Sequence, residues 1–185
     1  MIDKIQNIRV LIELPTWLGD CIMATPAIEN IVNFYDDAQI TFIGSSVSIK
    51  AMKNYPKTVK TTVLSKKYSD LYKIPRRLGK FDVFFSFRGS IRSKFLIFLI
   101  SAKNKYQFDK NKYQNRHQVE KYNDFVGDSL NTSFSAKKLK LYFDGDNSLL
   151  AESKPLLGIN PGASYGSAKR WYPQEFAKVA SKLSH

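Results

Sequence analysis

The sequence predicts an α/β fold with a mostly parallel β-sheet. Short runs of β-branched and aromatic residues alternate along the chain with segments in which apolar residues recur at helical spacing. The predicted strands are apolar on both faces, which is typical of parallel strands that helices cover on each side. A chain of 185 residues with 43% apolar and 14% aromatic content is able to bury a core of ordinary size.

Four strands are predicted in the first half of the chain. Each is a run of β-branched or aromatic residues, and they span residues 7–14, 39–44, 61–64 and 82–87. The helix after the first strand presents an apolar face made of Ile28, Ile31, Val32 and Tyr35. Its predicted start has Thr25 as N-cap and Pro26 as the first helical residue. Residues 90–101 are predicted to form a second, largely buried helix.

The second half of the chain predicts a change of domain. A helix over residues 117–130 and a strand over residues 139–143 complete the first pattern. Beyond a stretch of turn formers and charges, residues 156–162 look like the first strand of another α/β unit, and a helix with Pro173 at its first position follows. The predicted organisation is a domain over residues 1–143, a linker over residues 144–155 and an incomplete second domain over residues 156–185.

Positive charge is concentrated in the middle of the chain. Residues 50–140 hold 22 of the 29 Lys and Arg but 6 of the 16 acidic residues, and the whole chain carries a net charge of +13. Such a field attracts nucleic acid, phospholipid headgroups or an acidic sugar, although a well-solvated surface is the alternative explanation. Because no apolar run is long enough to span a bilayer or to act as a signal peptide, a cytoplasmic location is expected.

Few residues suit redox or metal chemistry. The single cysteine, Cys21, excludes an internal disulfide and a thiolate metal cluster, and it is expected to be a small buried residue. His117 and Glu120 share a helix face without a second histidine nearby, so we expect no metal site and a helix-start or packing role for His117. A basic nucleic-acid-binding module with interleaved tyrosines remains an alternative, although no RNA- or DNA-binding motif accompanies the charge.

Three loops follow predicted strands, at the end of the sheet where open α/β sheets bind ligands. In the first loop, a helix that started at Cys21 with Asp20 as its cap would place Pro26 in its interior. Asp20 is therefore expected in a loop beside Gly19, where its carboxylate can accept a proton from a bound hydroxyl, although a structural role fits the sequence equally well. In the second loop, Arg88 and Ser90 occupy a strand-to-helix turn that either binds an anion or is an ordinary turn.

The third loop, residues 160–173, has the components of a pyrophosphate site. It combines small residues with the hydroxyls of Ser164 and Ser167, the charges of Lys169 and Arg170, and a following helix N-terminus. Neither of the common glycine-rich nucleotide-binding motifs is present.

Taken together, these loops resemble the heptosyltransferases of glycosyltransferase family 9. The resemblance rests on the Gly19–Asp20 pair with ATPAI behind it, on FRGSIRS, on RHQVEKY and above all on PGASYGSAKRWYPQEFAKVA. The last segment is similar to the family's Pro-Gly-Ala … Ala-Lys-Arg-Trp-Pro segment, with Tyr172 inserted before the final proline. The matches run in the family's order along nearly the whole chain.

The resemblance implies a GT-B architecture, with a Rossmann-like acceptor domain and a nucleotide-sugar domain of which this chain holds the start. It further implies inverting transfer of heptose from ADP-heptose to the lipopolysaccharide inner core, with no metal and no cofactor. Asp20 would be the general base, and Lys169 would contact the donor phosphates, with Ser164 and Ser167 at neighbouring donor positions. The acceptor would be contacted by Arg88, Ser90 and Gly19.

The partners that the resemblance implies are a nucleotide sugar and an anionic, lipid-linked core oligosaccharide, reached peripherally at the inner face of the cytoplasmic membrane. Nucleic acid is not expected. Because family members are about twice the size of one domain, this chain is expected to be a truncated product that is inactive alone. A lone acceptor-binding domain without catalysis is the alternative.

Overall fold

The computed structural model describes residues 7–65, 67–142, 144, 156–163 and 166–184. The chain divides into two compact units, Met1–Asp144 and Gly145–His185. Residues 145–155, which make up nearly all of the predicted linker, lie outside the described part of the chain. The predicted linker and the two domain ranges therefore stay predictions.

The first unit is built on a five-stranded parallel sheet. Its strands are β1 (Arg9–Glu13), β2 (Gln39–Gly44), β3 (Thr58–Val63), β4 (Lys80–Ser86) and β5 (Ser101–Gln107). Their order is β3-β2-β1-β4-β5, with β1 paired to β2 on one side and to β4 on the other. Because the chain moves outward from β1 to β3 and then returns to β4, a crevice opens at the carboxyl ends of β1 and β4. The predicted α/β fold with a parallel sheet is confirmed.

Helices cover both faces of the sheet. One face packs against α1 (Leu18–Met23), α2 (Thr25–Phe34), α3 (Ser46–Met52) and α6 (Gln118–Leu130), and the other packs against α4 (Tyr68–Leu78) and α5 (Ile91–Leu99). Each face of the sheet has its own hydrophobic core, and successive side chains of β1 point alternately into the two. Val10 and Ile12 pack in the core under α1, α2, α3 and α6, and Leu11 packs in the core under α4 and α5. Cys21 is fully buried in the core under α1, α2, α3 and α6, as predicted.

One strand was missed by the sequence analysis and one was predicted wrongly. β5 has the sequence SAKNKYQ, without a regular apolar pattern, because it is a largely exposed edge strand. Residues 139–142 do not form the predicted strand, and Phe143 lies outside the described residues. Instead, the backbone N–H of Lys140 donates to Thr25 and the hydroxyl of Tyr142 donates to Glu29, so side chains of α2 bind this segment.

Helix α5 is shorter and more exposed than predicted. It ends at Leu99 because β5 begins at Ser101. Ser90 is its N-cap and accepts a hydrogen bond from the backbone N–H of Ser93 at 3.2 Å. Within α5, Ser93 and Leu96 are the buried residues, so the expectation of a largely buried helix is wrong.

The loop predicted around Asp20 is a short helix. α1 contains Asp20 in its first turn and ends before Ala24, which caps the separate helix α2. Pro26 therefore stays out of a helix interior, as predicted, because it falls in the first turn of α2. The predicted N-cap is wrong by one residue, since Ala24 is the N-cap and Thr25 is the first helical residue. The predicted loop placement of Asp20 is wrong.

The start of α6 confirms the expectation for His117. The His117 side chain accepts a hydrogen bond from the backbone of the helix's first turn, and the Glu120 carboxylate accepts one from the backbone N–H of His117 at 3.3 Å. This reciprocal arrangement is a capping box, which satisfies two N–H groups that the helix leaves without an internal partner.

The second unit contains a 3₁₀ turn, Ser167–Lys169, and α7 (Pro173–Leu183). Pro173 is the first residue of α7, as predicted. Residues 156–162 do not form the predicted strand. A strand needs a hydrogen-bonding neighbour, and the described residues of this unit include no strand that would supply one. None of the helices in the described residues of either unit is long and apolar enough to cross a membrane.

Candidate functional site

A cleft of about 490 Å³ opens at the carboxyl ends of β1, β4 and β5. The loops that follow these strands and the start of α6 line it, and the lining residues include Trp17, Asp20, Arg88, Ser90, Lys110 and Tyr122. The cleft lies where the strand order reverses, which is the general position of ligands in open α/β sheets. A larger groove of about 910 Å³ lies beside α6, away from these strand ends, and its charged residues pair with one another.

Asp20 enters the cleft from α1. Its backbone is held in the helix, because its carbonyl accepts the N–H of Ala24 at 3.0 Å and the next residue, Cys21, is buried in the core. Tyr122 lines the same cleft from α6. Burial and then the negative charge of Asp20 raise the pKa of Tyr122 further above neutral pH, and its protonated hydroxyl is able to donate a hydrogen bond. The cleft therefore contains a carboxylate on a fixed helix and a phenol that is able to donate a hydrogen bond.

Arg88 is oriented by a buried carboxylate at the end of β1. Glu13 is 1% exposed, and its Oε1 lies 3.3 Å from Nη1 of Arg88. The same carboxylate accepts the hydroxyl groups of Ser86 at 2.5 Å and Ser93 at 3.0 Å. Burial raises the pKa of Glu13, and these hydrogen bonds and Arg88 oppose the rise. The Arg88 side chain is 20% exposed, so its remaining N–H groups are able to donate into the cleft.

The turn that carries Arg88 is packed against the end of β5. The side-chain amide of Gln107 donates to the Arg88 carbonyl at 2.9 Å. A Cβ atom at Gly89 would lie 3.1 Å from the carbonyl oxygen of Phe108, so this position suits a glycine. The neighbouring Ser90 hydroxyl accepts one backbone N–H as a helix cap and keeps a hydrogen to donate to Ser93 or to a ligand.

Aromatic rings form the inner wall of the cleft. The Tyr122 ring lies 5.4 Å from Phe87 and 4.9 Å from Phe108, measured between centroids. Trp17 is 72% exposed and lines the cleft from the loop after β1. The site therefore combines an apolar wall with a carboxylate, a guanidinium and hydroxyl groups, which is the usual composition of a pocket for a small polar ligand.

The structure brings together part of the set of predicted site residues. Asp20, Arg88 and Ser90 line the cleft, whereas Gly19 is next to Asp20 in α1 but is not a lining residue. In the second unit, Ser167 and Lys169 lie exposed on the 3₁₀ turn. Ser164 is outside the described residues.

Sequence reasoning missed Glu13 and Tyr122. Glu13 had a usable signal, because a carboxylate ends the otherwise apolar run of β1 and such a group is rarely buried without a partner. Tyr122 had no such signal, since an aromatic residue in a helix is most simply explained as core.

A parallel sheet of this order with a cleft at its reversal point defines a Rossmann-like domain. The chain is 42% identical over 181 residues to lipooligosaccharide heptosyltransferase 2 of Campylobacter jejuni serotype O:2, a match that covers 95% of this chain and 56% of the relative. It is 40% identical to the protein of the same name from serotype O:6, over 95% of this chain and 57% of that relative. The chain thus spans just over half the length of the curated relatives it matches.

Solved structures agree on the fold. A family 9 glycosyl transferase from Veillonella parvula superimposes with a TM-score of 0.79 at 21% identity, over 99% of this chain and 61% of that one. E. coli heptosyltransferase WaaC, solved with ADP-2-deoxy-2-fluoro heptose, gives a TM-score of 0.71 at 13% identity, over 95% and 65%. No protein-family model matches the chain. The predicted resemblance to the heptosyltransferases of glycosyltransferase family 9 is confirmed, as is the Rossmann-like fold.

Proposed function

We propose that this chain carries the acceptor site and part of the donor site of an inverting heptosyltransferase. The enzyme moves heptose from ADP-heptose to the inner core of lipopolysaccharide. The observation that carries the proposal is that Asp20, Arg88 and Ser90 line one cleft at the reversal point of the sheet. The name of the Campylobacter relatives, lipooligosaccharide heptosyltransferase 2, supports the reaction class.

Asp20 acts in this proposal as the general base. An acceptor hydroxyl in the cleft gives its proton to the Asp20 carboxylate while its oxygen attacks the anomeric carbon of heptose. The bond from that carbon to the diphosphate breaks on the opposite face, and ADP leaves with the bonding electrons, so the configuration inverts. The buried attachment of α1 holds the carboxylate in place during this step.

The acceptor is an anionic oligosaccharide, bound by charge and hydrogen bonds. Arg88, already oriented by Glu13, donates to a carboxylate or phosphate of the acceptor, and Lys110 adds a second positive charge along the same cleft. The Ser90 hydroxyl donates a hydrogen bond to the acceptor. Gly19 leaves open space beside Asp20, since a Cβ atom there would meet nothing within 4 Å.

The donor is bound by the second unit. Lys169, with Ser164 and Ser167, binds the diphosphate of ADP-heptose, and the lysine charge stabilises the departing ADP. Lys169 and Ser167 are exposed on a turn that follows Gly166, whose φ of 72° gives the chain a tight bend there. The proposal includes no metal, no cofactor and no nucleic acid. The lipid-linked acceptor places the reaction at the inner face of the cytoplasmic membrane.

The base is tested in a chimaera in which this chain replaces the matching segment of the Campylobacter jejuni relative. We expect Asp20→Asn to lower kcat by about 10²–10⁴-fold, because the hydroxyl then lacks its proton acceptor, and to change the acceptor KM by less than about threefold. Asp37→Asn, an exposed aspartate beyond α2, is the matched control and should retain full activity. A D20N chimaera that keeps more than about a tenth of the activity would overturn the assignment.

The acceptor site is tested by calorimetry on the 185-residue chain with a soluble core oligosaccharide. Arg88→Ala is expected to weaken binding by about tenfold or more, because a charge-assisted hydrogen bond is lost. Arg9→Ala removes the same charge at the amino end of β1, which is the end opposite the cleft, and should have little effect on acceptor binding. If Arg88→Ala and Arg9→Ala weaken acceptor binding equally, net charge alone attracts the acceptor.

The chain alone is expected to release no ADP from ADP-heptose. If the chimaera binds the acceptor but transfers no heptose, the result would favour a binding domain without catalysis.

A further inference from the structure

The outer face of α5 is an apolar stripe that nothing in the described chain covers. Ile91 is 86% exposed, Phe95 52% and Phe98 79%. Their spacing of four and three residues puts all three on one side of the helix, opposite the buried Ser93 and Leu96. The stripe runs for about 10 Å along the helix axis. Side chains of this size on the solvent face of a helix need an explanation, because a soluble surface gains nothing from them.

Positive charge and further aromatic rings border the stripe. α4 packs beside α5 and exposes Tyr68 and Tyr72, which are 81% and 52% accessible. The Arg76 guanidinium lies 3.9 Å from the centroid of the Tyr72 ring, and Arg92 of α5 lies 5.8 Å from that of Tyr68. In sequence, the two helices together hold five cations against the single acid Asp70, and the five are Lys73, Arg76, Arg77, Arg92 and Lys94. We call the exposed apolar residues of α4 and α5, together with their exposed cations Lys73, Arg76, Arg77 and Lys94, the α4–α5 surface.

We propose that the α4–α5 surface docks on an anionic phospholipid bilayer. Apolar side chains that protrude from a helix, with long cationic side chains around them, suit the boundary between acyl chains and acidic headgroups. The aliphatic Ile91 as well as the two phenylalanines would be covered there. The exposed cations Lys73, Arg76, Arg77 and Lys94 would face negative headgroups.

Charge argues against the other occupants. In a symmetric dimer the same patch meets itself, so the five cations of one copy would face the five of the other with only Asp70 of each copy to balance them. A nucleic acid would match the charge, but it offers no apolar layer for the aliphatic Ile91. A bilayer satisfies the charge and the apolar stripe together.

The surface is continuous with the candidate acceptor cleft. Ser90 lines the cleft and caps α5, and Ile91 is the next residue. Docking through α5 would therefore hold the cleft at the membrane surface, where a lipid-linked acceptor is available. This connection rests on the proposed function, whereas the docking itself does not.

The test is co-sedimentation of the 185-residue chain with vesicles of phosphatidylethanolamine and phosphatidylglycerol, which contain no lipopolysaccharide. Binding should be strong at about 0.1 M salt, weaker at high salt, and weak on vesicles of phosphatidylcholine alone. The F95S/F98S double substitution should lower the affinity by about tenfold or more, since it removes two apolar side chains from the interface. Circular dichroism should show unchanged folding, because both residues are exposed.

Matched controls test whether vesicle binding depends on the α4–α5 surface or on exposed apolar and basic residues in general. V59S/V63S removes two exposed valines from the edge strand β3 and should leave vesicle binding unchanged. R76Q/R77Q/K94Q should weaken binding by about fivefold for each charge, whereas K50Q/K53Q/K60Q, which removes three exposed lysines elsewhere, should have a much smaller effect.

Three results would overturn the proposal. These are no binding to anionic vesicles, binding that F95S/F98S does not weaken, and a dimer or DNA complex that F95S/F98S disrupts while vesicles do not bind. Because the vesicles contain no acceptor, a failure here is independent of the Arg88→Ala measurement.

Discussion

Replacing Glu13 by glutamine and by alanine separates its charge from its hydrogen bonds. The Oε1 atom of Glu13 accepts from both Ser93 and Arg88, and the Oε2 atom accepts from Ser86. In E13Q the amide oxygen is able to keep the first two bonds. The amide N–H₂ is able to donate to Ser86, whose hydroxyl lies 3.2 Å from the carbonyl of Arg88 and is able to donate there instead. Every polar group therefore keeps a partner in the glutamine variant.

The two variants should differ in stability by several kcal/mol. E13Q keeps these hydrogen bonds and removes a charge that burial makes unfavourable, so the free energy of unfolding at neutral pH should change by no more than about 1 kcal/mol. E13A leaves a buried cavity and removes the carboxylate that accepts from Arg88 and Ser93, which should lower the free energy of unfolding by about 3–5 kcal/mol. Urea unfolding followed by circular dichroism measures both values. Equal losses in the two variants would refute this account of the bonding.

The pH dependence of the same comparison tests the burial of Glu13. Because burial raises the pKa of folded Glu13 above its ordinary value of 4.5, the unfolded chain loses this proton at lower pH than the folded chain. The stability that Glu13 contributes is therefore fully present below the unfolded pKa and is lost as pH rises through the folded pKa. Since glutamine does not titrate, the free energy of unfolding of the wild type minus that of E13Q should fall with rising pH.

An opposite control comes from Asp82. Hydrogen bonds from Lys103 and from the backbone of Arg9 lower the pKa of Asp82, so its contribution is present above the unfolded pKa and is lost as pH falls through the folded pKa. The advantage of the wild type over D82N should therefore grow with pH. If the free energy of unfolding of the wild type relative to E13Q also rises with pH, burial is not the dominant influence on the pKa of Glu13.

Two further predictions concern the packing of α6 and the reactivity of the buried cysteine. A Cβ atom at Gly127 would lie 2.7 Å from the carbonyl oxygen of Thr132, so Gly127→Ala should lower the free energy of unfolding by about 1–3 kcal/mol. Gly19→Ala, which meets nothing within 4 Å, should be neutral or gain up to about 1 kcal/mol from helix propensity, and a stable G127A would contradict the packing. Burial raises the pKa of Cys21 to about 11, so a disulfide reagent at about pH 8 should label this thiol only as the chain unfolds, and rapid labelling of the folded protein would contradict its burial.

The central strands were predictable because their apolar runs are long and bounded. β2 was predicted with its observed ends, Gln39–Gly44, and β1 and β4 to within two residues at each end. The edge strand β5 was not predictable, because a strand that is paired on one side and exposed to water does not need an apolar sequence. The burial of α5 was overestimated, because its outer face is also apolar. Hydrophobicity alone does not reveal which face of a helix meets the protein core.

The candidate site was predictable where residues follow strands in sequence. Asp20, Arg88 and Ser90 each come within a few residues of a strand end, and the parallel sheet then brings those ends together. Lys110 and Tyr122 were not found, because Lys110 follows the unpredicted strand β5 and Tyr122 reaches the cleft through the packing of α6. The pairing of Glu13 with Arg88 spans 75 residues and depends on tertiary structure.

The register of two strands accounts for the orientation of Arg88. In the β1–β4 pair, Glu13 lies directly opposite Ser86, and the next N–H, that of Phe87, donates to the Glu13 carbonyl at 3.0 Å. This register places the Glu13 carboxylate next to the turn that carries Arg88, within 3.3 Å of the guanidinium. A shift of one residue would move Glu13 to the other face of the sheet and leave the guanidinium without its buried partner. The apolar residues of β1, which fix the register by filling the two cores in turn, therefore also determine where the positive charge of the cleft lies.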